Sequence, residues 1–559
     1  MAFRLAVVCL ALAFFACGGS GGGSSPSSPQ PQWGRGRSDD ANSGVSFTGV
    51  TNLGFPFVST RLSQGPIRTT PAIGANGTVF VMTEEDGLFA LDPDGVTILW
   101  QFPTLKRLPS LGRSSCSVAV DGFNNTFFGT DDGWIVGLDQ FGVPLWDPVN
   151  LGSAIIGSPL LVIDPVLNLV QAFFVASRDG RIFGIGGQDG QKRWEYDVPG
   201  GPIEGSVIFD GVTLYASSAD GFLYFLNQRG SVAFPKAPLG ALGADFTASP
   251  NLFAQILAQS DLVGEVAPGR VRGITTNGLP IWDTDFDVPV STSLAQFSRV
   301  LDQRVPLSNG GFAESQLTVT DFVAVDDNGS GWFLDPQLGS RGKRCIGGQN
   351  DLQPCRQSSD CPQAMVTPTP SFAPKCLPPY ACVGGTNDGM SCREDTGTTD
   401  CPLPGTCRPI TNCKGGSRDG QPCNEVDLLC PDGFCDLAIF RVDAPITAPP
   451  VTTVEGTIYV ATAPEGVGGT LYAIEPPSNK VPLESQCGSP SGPPPPAFCR
   501  FAFTDVVGAI VAAPAIATAG TVYLVDDKGY LYTLAGSEVP PNTSTPTPRA
   551  ATPTPTPQP

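Results

Sequence analysis

The sequence predicts an all-β chain built as an eight-bladed β-propeller, with seven blades as the alternative count. Three observations predict it. Charged residues make up only 15% while Gly numbers 67 and Pro 56, which favours short strands and turns over long helices. A glycine-led strand motif recurs eight times along the chain. Each copy alternates its side chains at period two, as a half-buried strand does.

The copies are DGLFALD (86–92), DGWIVGLD (132–139), DGRIFGIG (179–186), DGFLYFLN (220–227), GRVRGIT (269–275), GSGWFLD (329–335), GTLYAIE (469–475) and GYLYTLA (529–535). Upstream of the motif comes a second strand such as TVFVMT (78–83), TLYASS (213–218) or TVYLVD (521–526). Further upstream lies a short small-residue segment, often with Pro: TTPAIG, GSPLLV, TASPNL, APPVTT, AAPAIA. Seven or eight residues downstream, four copies carry a tryptophan: Trp100, Trp146, Trp194 and Trp282. Each unit therefore reads as four short strands over roughly 45 residues, the period of a propeller blade. Asp-Gly pairs between strands supply hairpin turns, since Gly accepts positive φ.

TPAIGANGTVFVMTEEDGLFALDPDGVTILWQF (70–102) resembles the repeat of the PQQ-like propellers, the quinoprotein alcohol dehydrogenase-like superfamily. The resemblance covers roughly residues 65–535 without the cysteine-rich stretch, and the fifth and sixth copies are degenerate. It implies that the tryptophan and a small third-strand residue dock neighbouring blades: Trp100 with Ala90, Trp146 with Gly137, Trp194 with Gly184, and Trp282 in the fifth unit. The last unit stops after its third strand. Residues 46–60, SFTGVTNLGFPFVST, are strand-like and belong to no unit, so they are expected to complete that last blade and cover an edge that would otherwise invite aggregation.

The ends carry no propeller pattern. Arg4 followed by an apolar run over 5–16 reads as a secretion signal, 1–16. FFAC resembles a bacterial lipobox, with Phe14 and Phe15 departing from it, and marks Cys17 as the lipid attachment site. Residues 17–45, rich in Gly, Ser and Pro at their start, are expected to be a flexible tether, with the propeller running over 46–538. Residues 539–559 alternate Thr and Pro and read as a disordered or polyproline tail.

Twelve of the 17 cysteines fall within 345–435, an insertion between the third and fourth strands of the sixth unit. It is threefold: Cys345 and Cys355, Cys382 and Cys392, and Cys413 and Cys423 each bracket nine residues. Each opening pair is followed by two more cysteines: Cys361 and Cys376, Cys401 and Cys407, Cys430 and Cys435. With almost no hydrophobic core, four-cysteine modules are held by disulfides, and four cysteines leave three connectivities open. Zinc is the rival reading, but no C-x-x-C pair and no histidine occurs. Cys487 and Cys499 bracket a Pro-rich loop of the seventh unit and read as a further disulfide. Cys116 reads as a buried first-strand residue, and Cys9 leaves with the signal.

The absence of histidine removes Ser-His and Cys-His nucleophile pairs and His-ligated metal sites. A net charge of −20 disfavours nucleic acid as a partner. The superfamily resemblance implies one possible cofactor, pyrroloquinoline quinone with calcium, yet the adjacent cysteine pair of its methanol dehydrogenase-like members is missing here. Carboxylates at Asp86, Asp132, Asp179, Asp220 and Asp527 recur at one hairpin position, where they are turn formers first and a weak cation ring second. Lipid-anchored members of the superfamily include a scaffold for β-barrel insertion into the outer membrane. The expectation is a non-catalytic, monomeric, lipid-anchored propeller of the bacterial outer membrane or cell surface. It touches the membrane through its anchor only and binds an envelope or cell-surface protein without a cofactor. A secreted or periplasmic protein is the alternative location. A quinone-dependent dehydrogenase, or an adhesin or glycan binder using the insertion, is the alternative function.

Overall fold

The computed structural model describes residues 30–35, 43–46 and most of 53–536, apart from 103–112, 240–248, 262–268, 307–311, 477–498 and much of 340–437. Eight four-stranded antiparallel units follow one another in sequence, at 72–102, 119–150, 160–197, 208–238, 251–285, 295–441, 451–503 and finally 515–536 joined by 53–61. In the first unit the strands are Ala72–Ile73, Val79–Thr83, Gly87–Leu91 and Ile98–Phe102, each paired to the next. The fold is therefore an eight-bladed propeller, and seven blades are excluded.

The second and third strands are the most buried. VFVMT and GLFAL of the first blade are buried at every position, whereas the outer ILWQF is largely exposed. A blade packs on neighbours through both faces, so its middle strands lose the alternation that a one-sided sheet shows. Hydrophobic clusters accordingly sit between consecutive blades, as where Phe102 of the first meets Phe128 of the second.

Leu53–Arg61 forms the outer strand of the eighth blade, antiparallel to Tyr530–Gly536. The chain thus closes its ring with a strand from near its start. The rest of the segment expected there does something else: Val45–Ser46 pairs in parallel with Val451–Thr453, the innermost strand of the seventh blade.

Four joints between blades share one design. The indole N–H of Trp100 donates to the carbonyl of Gln140 at 2.8 Å, that of Trp146 to Gly187 at 3.3 Å, that of Trp194 to Gln228 at 2.8 Å, and that of Trp282 to Pro336 at 2.8 Å. Each acceptor lies in the turn between the third and outer strands of the next blade. Within its own blade each ring lies over a small residue. A Cβ on Gly184 would stand 2.2 Å from the Trp194 ring, and one on Gly230 of the following blade 2.5 Å away. The indole is thus clamped between two glycines. The ring closes differently. The eighth blade has no such tryptophan, and the Tyr523 hydroxyl donates to the Pro93 carbonyl at 2.6 Å instead.

Candidate functional site

In an up-and-down blade the turns alternate between the two faces of the ring. First-to-second and third-to-outer turns share one face; second-to-third turns and the links between blades share the other. The cysteine-rich insertion joins the third strand Ser330–Leu334 to the outer strand Phe440–Arg441, so it stands on the first of these, here termed the insertion face. The axial channel opens on both.

Residues 30–35 and 43–46 of the chain's own N-terminal segment lie against the channel wall. Gln30 donates to Asn168 at 3.4 Å and Gln32 accepts from the Thr518 backbone N–H at 2.9 Å, both partners lying in first-to-second turns. The segment therefore meets the ring at the insertion face. Trp33 then forms a two-way backbone bridge with Ile73, and Gly34 accepts from Val120 at 2.7 Å. Deeper in, the Arg35 guanidinium donates to the carbonyls of Ser158 at 3.2 Å and Val207 at 3.1 Å. Trp33 is 0% and Arg35 5% exposed. On the opposite wall Ser43 accepts from Gln296 and Gly44 from Thr452, and the chain leaves beside Val454, again at the insertion face. Residues 30–35 and 43–46 touch innermost strands or their turns in seven of the eight blades.

For residues 30–35 and 43–45 this corrects the expectation of a flexible tether over 17–45; the rest of that range lies outside the described residues. Trp33 and Arg35 bring enough apolar surface and hydrogen bonding to order a stretch whose composition looks like linker. The signal was a lone tryptophan in PQWGR, inside an otherwise small and polar run. The wall that receives them explains the recurring small-residue segments. Thr70 N–H donates to the Ser117 hydroxyl at 3.1 Å, Ser158 to Ser206 at 2.9 Å, Ser206 to Ser249 at 2.8 Å and Ser249 to Ser293 at 2.9 Å. At four joints a serine hydroxyl just before the inner strand thus satisfies the backbone of the preceding blade, where larger side chains would narrow the channel.

The acidic turns lie on the face opposite the insertion. Asp86 accepts from Ser63 at 2.8 Å, Asp220 lies 3.6 Å from Lys236, and Asp527 accepts from the Ala509 N–H at 3.0 Å. Asp132 accepts from Thr130 in its own turn. For Asp179, burial pushes upward, but hydrogen bonds from Arg181 and Ser177 outweigh it and hold the carboxyl below its usual range. Burial pushes Asp326 and Asp327 of the sixth blade upward. Asp132 is held within its own turn, whereas Asp86 and Asp527 accept from links between blades and Asp220 lies beside Lys236 of its outer strand. Among the described residues the only groups of three close ligand atoms are cysteines, so the five carboxylates make no shared cation ring.

Those cysteines form disulfides. Cys345 pairs with Cys361, Cys382 with Cys401, and Cys392 with Cys407; Cys355 and Cys499 are disulfide-bonded as well. The complete second module thus joins its first cysteine to its third and its second to its fourth. The sulfurs of Cys345, Cys355 and Cys361 lie within 4.8 Å of one another, close enough for a metal, but oxidised sulfur is no thiolate ligand. In all three modules the first and fourth cysteines face each other across a two-stranded ladder: Cys345 and Cys376, Cys382 and Cys407, Cys413 and Cys435. Cys17, Cys423, Cys430 and Cys487 lie outside the described residues.

The second module does not stand alone. Ala295–Pro306 and Phe312–Val325 of the sixth blade form an unusually long hairpin, and its Leu301 and Leu317 pack against Tyr380, Cys382, Cys392 and Cys401. Cys116 is free and buried; it precedes the first strand of its blade, Ala119–Val120, rather than lying in it. Burial pushes its thiol up to about 12.

A quinone-and-calcium centre does not fit these residues. The axial cavity, where a propeller would enclose a small ligand, holds Trp33 and Arg35 instead. Among the described residues no cluster of carboxylates offers a calcium site.

No protein-family model matches the chain, and no curated protein matches it. Among solved structures it is similar to BamB from Moraxella catarrhalis, at 12% identity and a TM-score of 0.46, covering 85% of this chain and 98% of that one. It is similar also to the quinohemoprotein alcohol dehydrogenase from Comamonas testosteroni, at 14% identity and 0.43, covering 93% and 83%. The Dos1 propeller gives 11% identity and 0.48, covering 86% and 95%. The eight-bladed ring rests on its own strand pairing. The disulfides suit an oxidising, extracytoplasmic compartment.

Proposed function

We propose that this chain is a non-catalytic, extracytoplasmic propeller, anchored through Cys17 at a bacterial outer membrane or cell surface, that binds a protein of the cell envelope. The observation that carries the reading is the segment against the channel wall. Trp33 and Arg35, buried among the inner strands, take up space where a propeller would hold a small substrate, which favours binding at the exposed turns. Cross-linking in intact cells followed by mass spectrometry tests it. A recurrent envelope protein, cross-linked to turn or module residues, is the expected result. Stoichiometric uptake of quinone with dye-linked alcohol oxidation would overturn it.

The bracing of the second module by Leu301 and Leu317 favours a second reading, in which the insertion is itself the contact element of an adhesin or glycan binder. Excising 345–435 would then abolish cell or glycan binding while leaving the ring folded.

A further inference from the structure

The two faces of the ring differ in chemistry. The insertion face carries exposed large apolar side chains at its turn tips: Val166 at 87%, Val212 at 73%, Phe141 at 67%, Leu167 at 62% and Leu279 at 61%. Val166, Leu167 and Val212 lie in first-to-second turns, Phe141 and Leu279 in third-to-outer turns. The opposite face carries the acidic Asp-Gly turns, and the insertion face carries exposed carboxylates too, Asp94, Asp164 and Asp189, so charge does not separate the faces; the only comparable apolar tips of the opposite face among the described residues are Val467 and Val507. Single exposed apolar residues need no explanation, but their gathering on one face of a disc marks an interaction surface.

Where the chain leaves the ring selects the occupant. Gln30 meets the propeller at the insertion face, and Cys17 stands only 13 positions before it. As a flexible coil, 13 residues have a mean span of about 20 Å, and about 45 Å fully stretched. A path from the channel mouth to the acidic face crosses roughly 25 Å of blade, from strands spaced about 4.8 Å around a central channel, and then about 20 Å of rim. The tether would have to be fully extended to bring that face to the bilayer.

We infer that the insertion face lies against the bilayer surface, with the apolar turn tips in the headgroup region, the cysteine modules beside them and the acidic face turned away. The inference rests on the anchoring of Cys17 given above. The contact is a surface one, supported by apolar side chains that add to the lipid anchor. A protein partner that needs a free face would then approach from the acidic side.

The test uses the acylated full-length chain reconstituted into phosphatidylethanolamine–phosphatidylglycerol vesicles. Fluorophores are placed singly by Phe141→Cys or Leu167→Cys on the insertion face and by Val467→Cys or Val507→Cys on the other, and quenched by brominated lipid. At least twofold quenching at 141 and 167, with none at 467 and 507, is expected. Equal quenching on both faces, or the reverse pattern, overturns the orientation while leaving the anchor standing. Reporters at 141 and 167 that are unquenched in vesicles but shielded in native membranes overturn it in favour of a protein covering that face. A chain whose Cys17 carries no lipid by mass spectrometry overturns the anchor, and this inference with it.

Discussion

Replacing Trp33 by alanine isolates what the channel segment contributes. Trp33 is fully buried, and its backbone is bonded both ways to Ile73. Truncating a buried tryptophan costs about 3–5 kcal/mol, from lost transfer energy and the cavity left behind. If segment and ring unfold together, the cost appears in the melting temperature. About 500 folded residues at about 2.1 cal/mol/K each give roughly 1 kcal/mol/K, so the midpoint falls by about 3–5 °C. If the segment undocks alone, the midpoint holds, and the amide of Val120, which donates to Gly34, exchanges two to three orders of magnitude faster. Trp33→Phe is the control. The Trp33 indole N–H meets no acceptor, so phenylalanine keeps most of the apolar volume and removes an unpaired donor, at about 1–2 kcal/mol or less. Calorimetry with hydrogen exchange resolves the two routes. A Trp33→Ala protein with both an unchanged midpoint and unchanged Val120 exchange refutes the account of a docked segment.

Other perturbations address other parts of the molecule. Gly184→Val places side-chain atoms against a ring that a Cβ alone would meet at 2.2 Å, so it should cost about 1–3 kcal/mol by thermal unfolding; a neutral result means that Trp194 is not clamped. Cys392→Ser with Cys407→Ser removes a bridge across 15 residues, worth about 3 kcal/mol to its module. Exchange protection should then fall around Tyr380–Val383 but not in the first four blades, and loss of protection in those blades would refute the separation. Cys116, with its thiol pushed up to about 12, should resist alkylation at pH 8 until the protein unfolds; rapid labelling of the native chain would refute its burial. The sign of the linkage follows. The unfolded thiol ionises near 9 while the folded one retains its proton, so the stability held below pH 9 declines as pH rises toward about 12.

The candidate site was legible in part. The 91-residue insertion announced itself by its cysteines, and the tryptophan with its own blade's small third-strand residue by the recurring WIVGL and RIFGI patterns, while the second glycine, from the next blade's turn, was not legible. The disulfide pairing was not legible, because spacing leaves three connectivities equal until strands bring particular sulfurs together. Nor was Tyr523 legible as the substitute for a missing tryptophan. Its hydroxyl reaches Pro93 across 430 positions, a contact that exists only once the ring is closed.

The sequence by itself determined the blade, because a short strand opened by a turn glycine and repeated along the chain is a local pattern and needs no distant residue to be read. It determined the location of the insertion for the same reason. Only the tertiary structure decided what residues 30–35 and 43–46 do. Their composition is that of a linker, and their order comes from a cavity whose wall is contributed by strands more than four hundred positions apart. It decided the sidedness as well. Phe141, Val166 and Val212 are unremarkable in sequence, and they share a face only because each blade sends alternate turns to the same side of the ring.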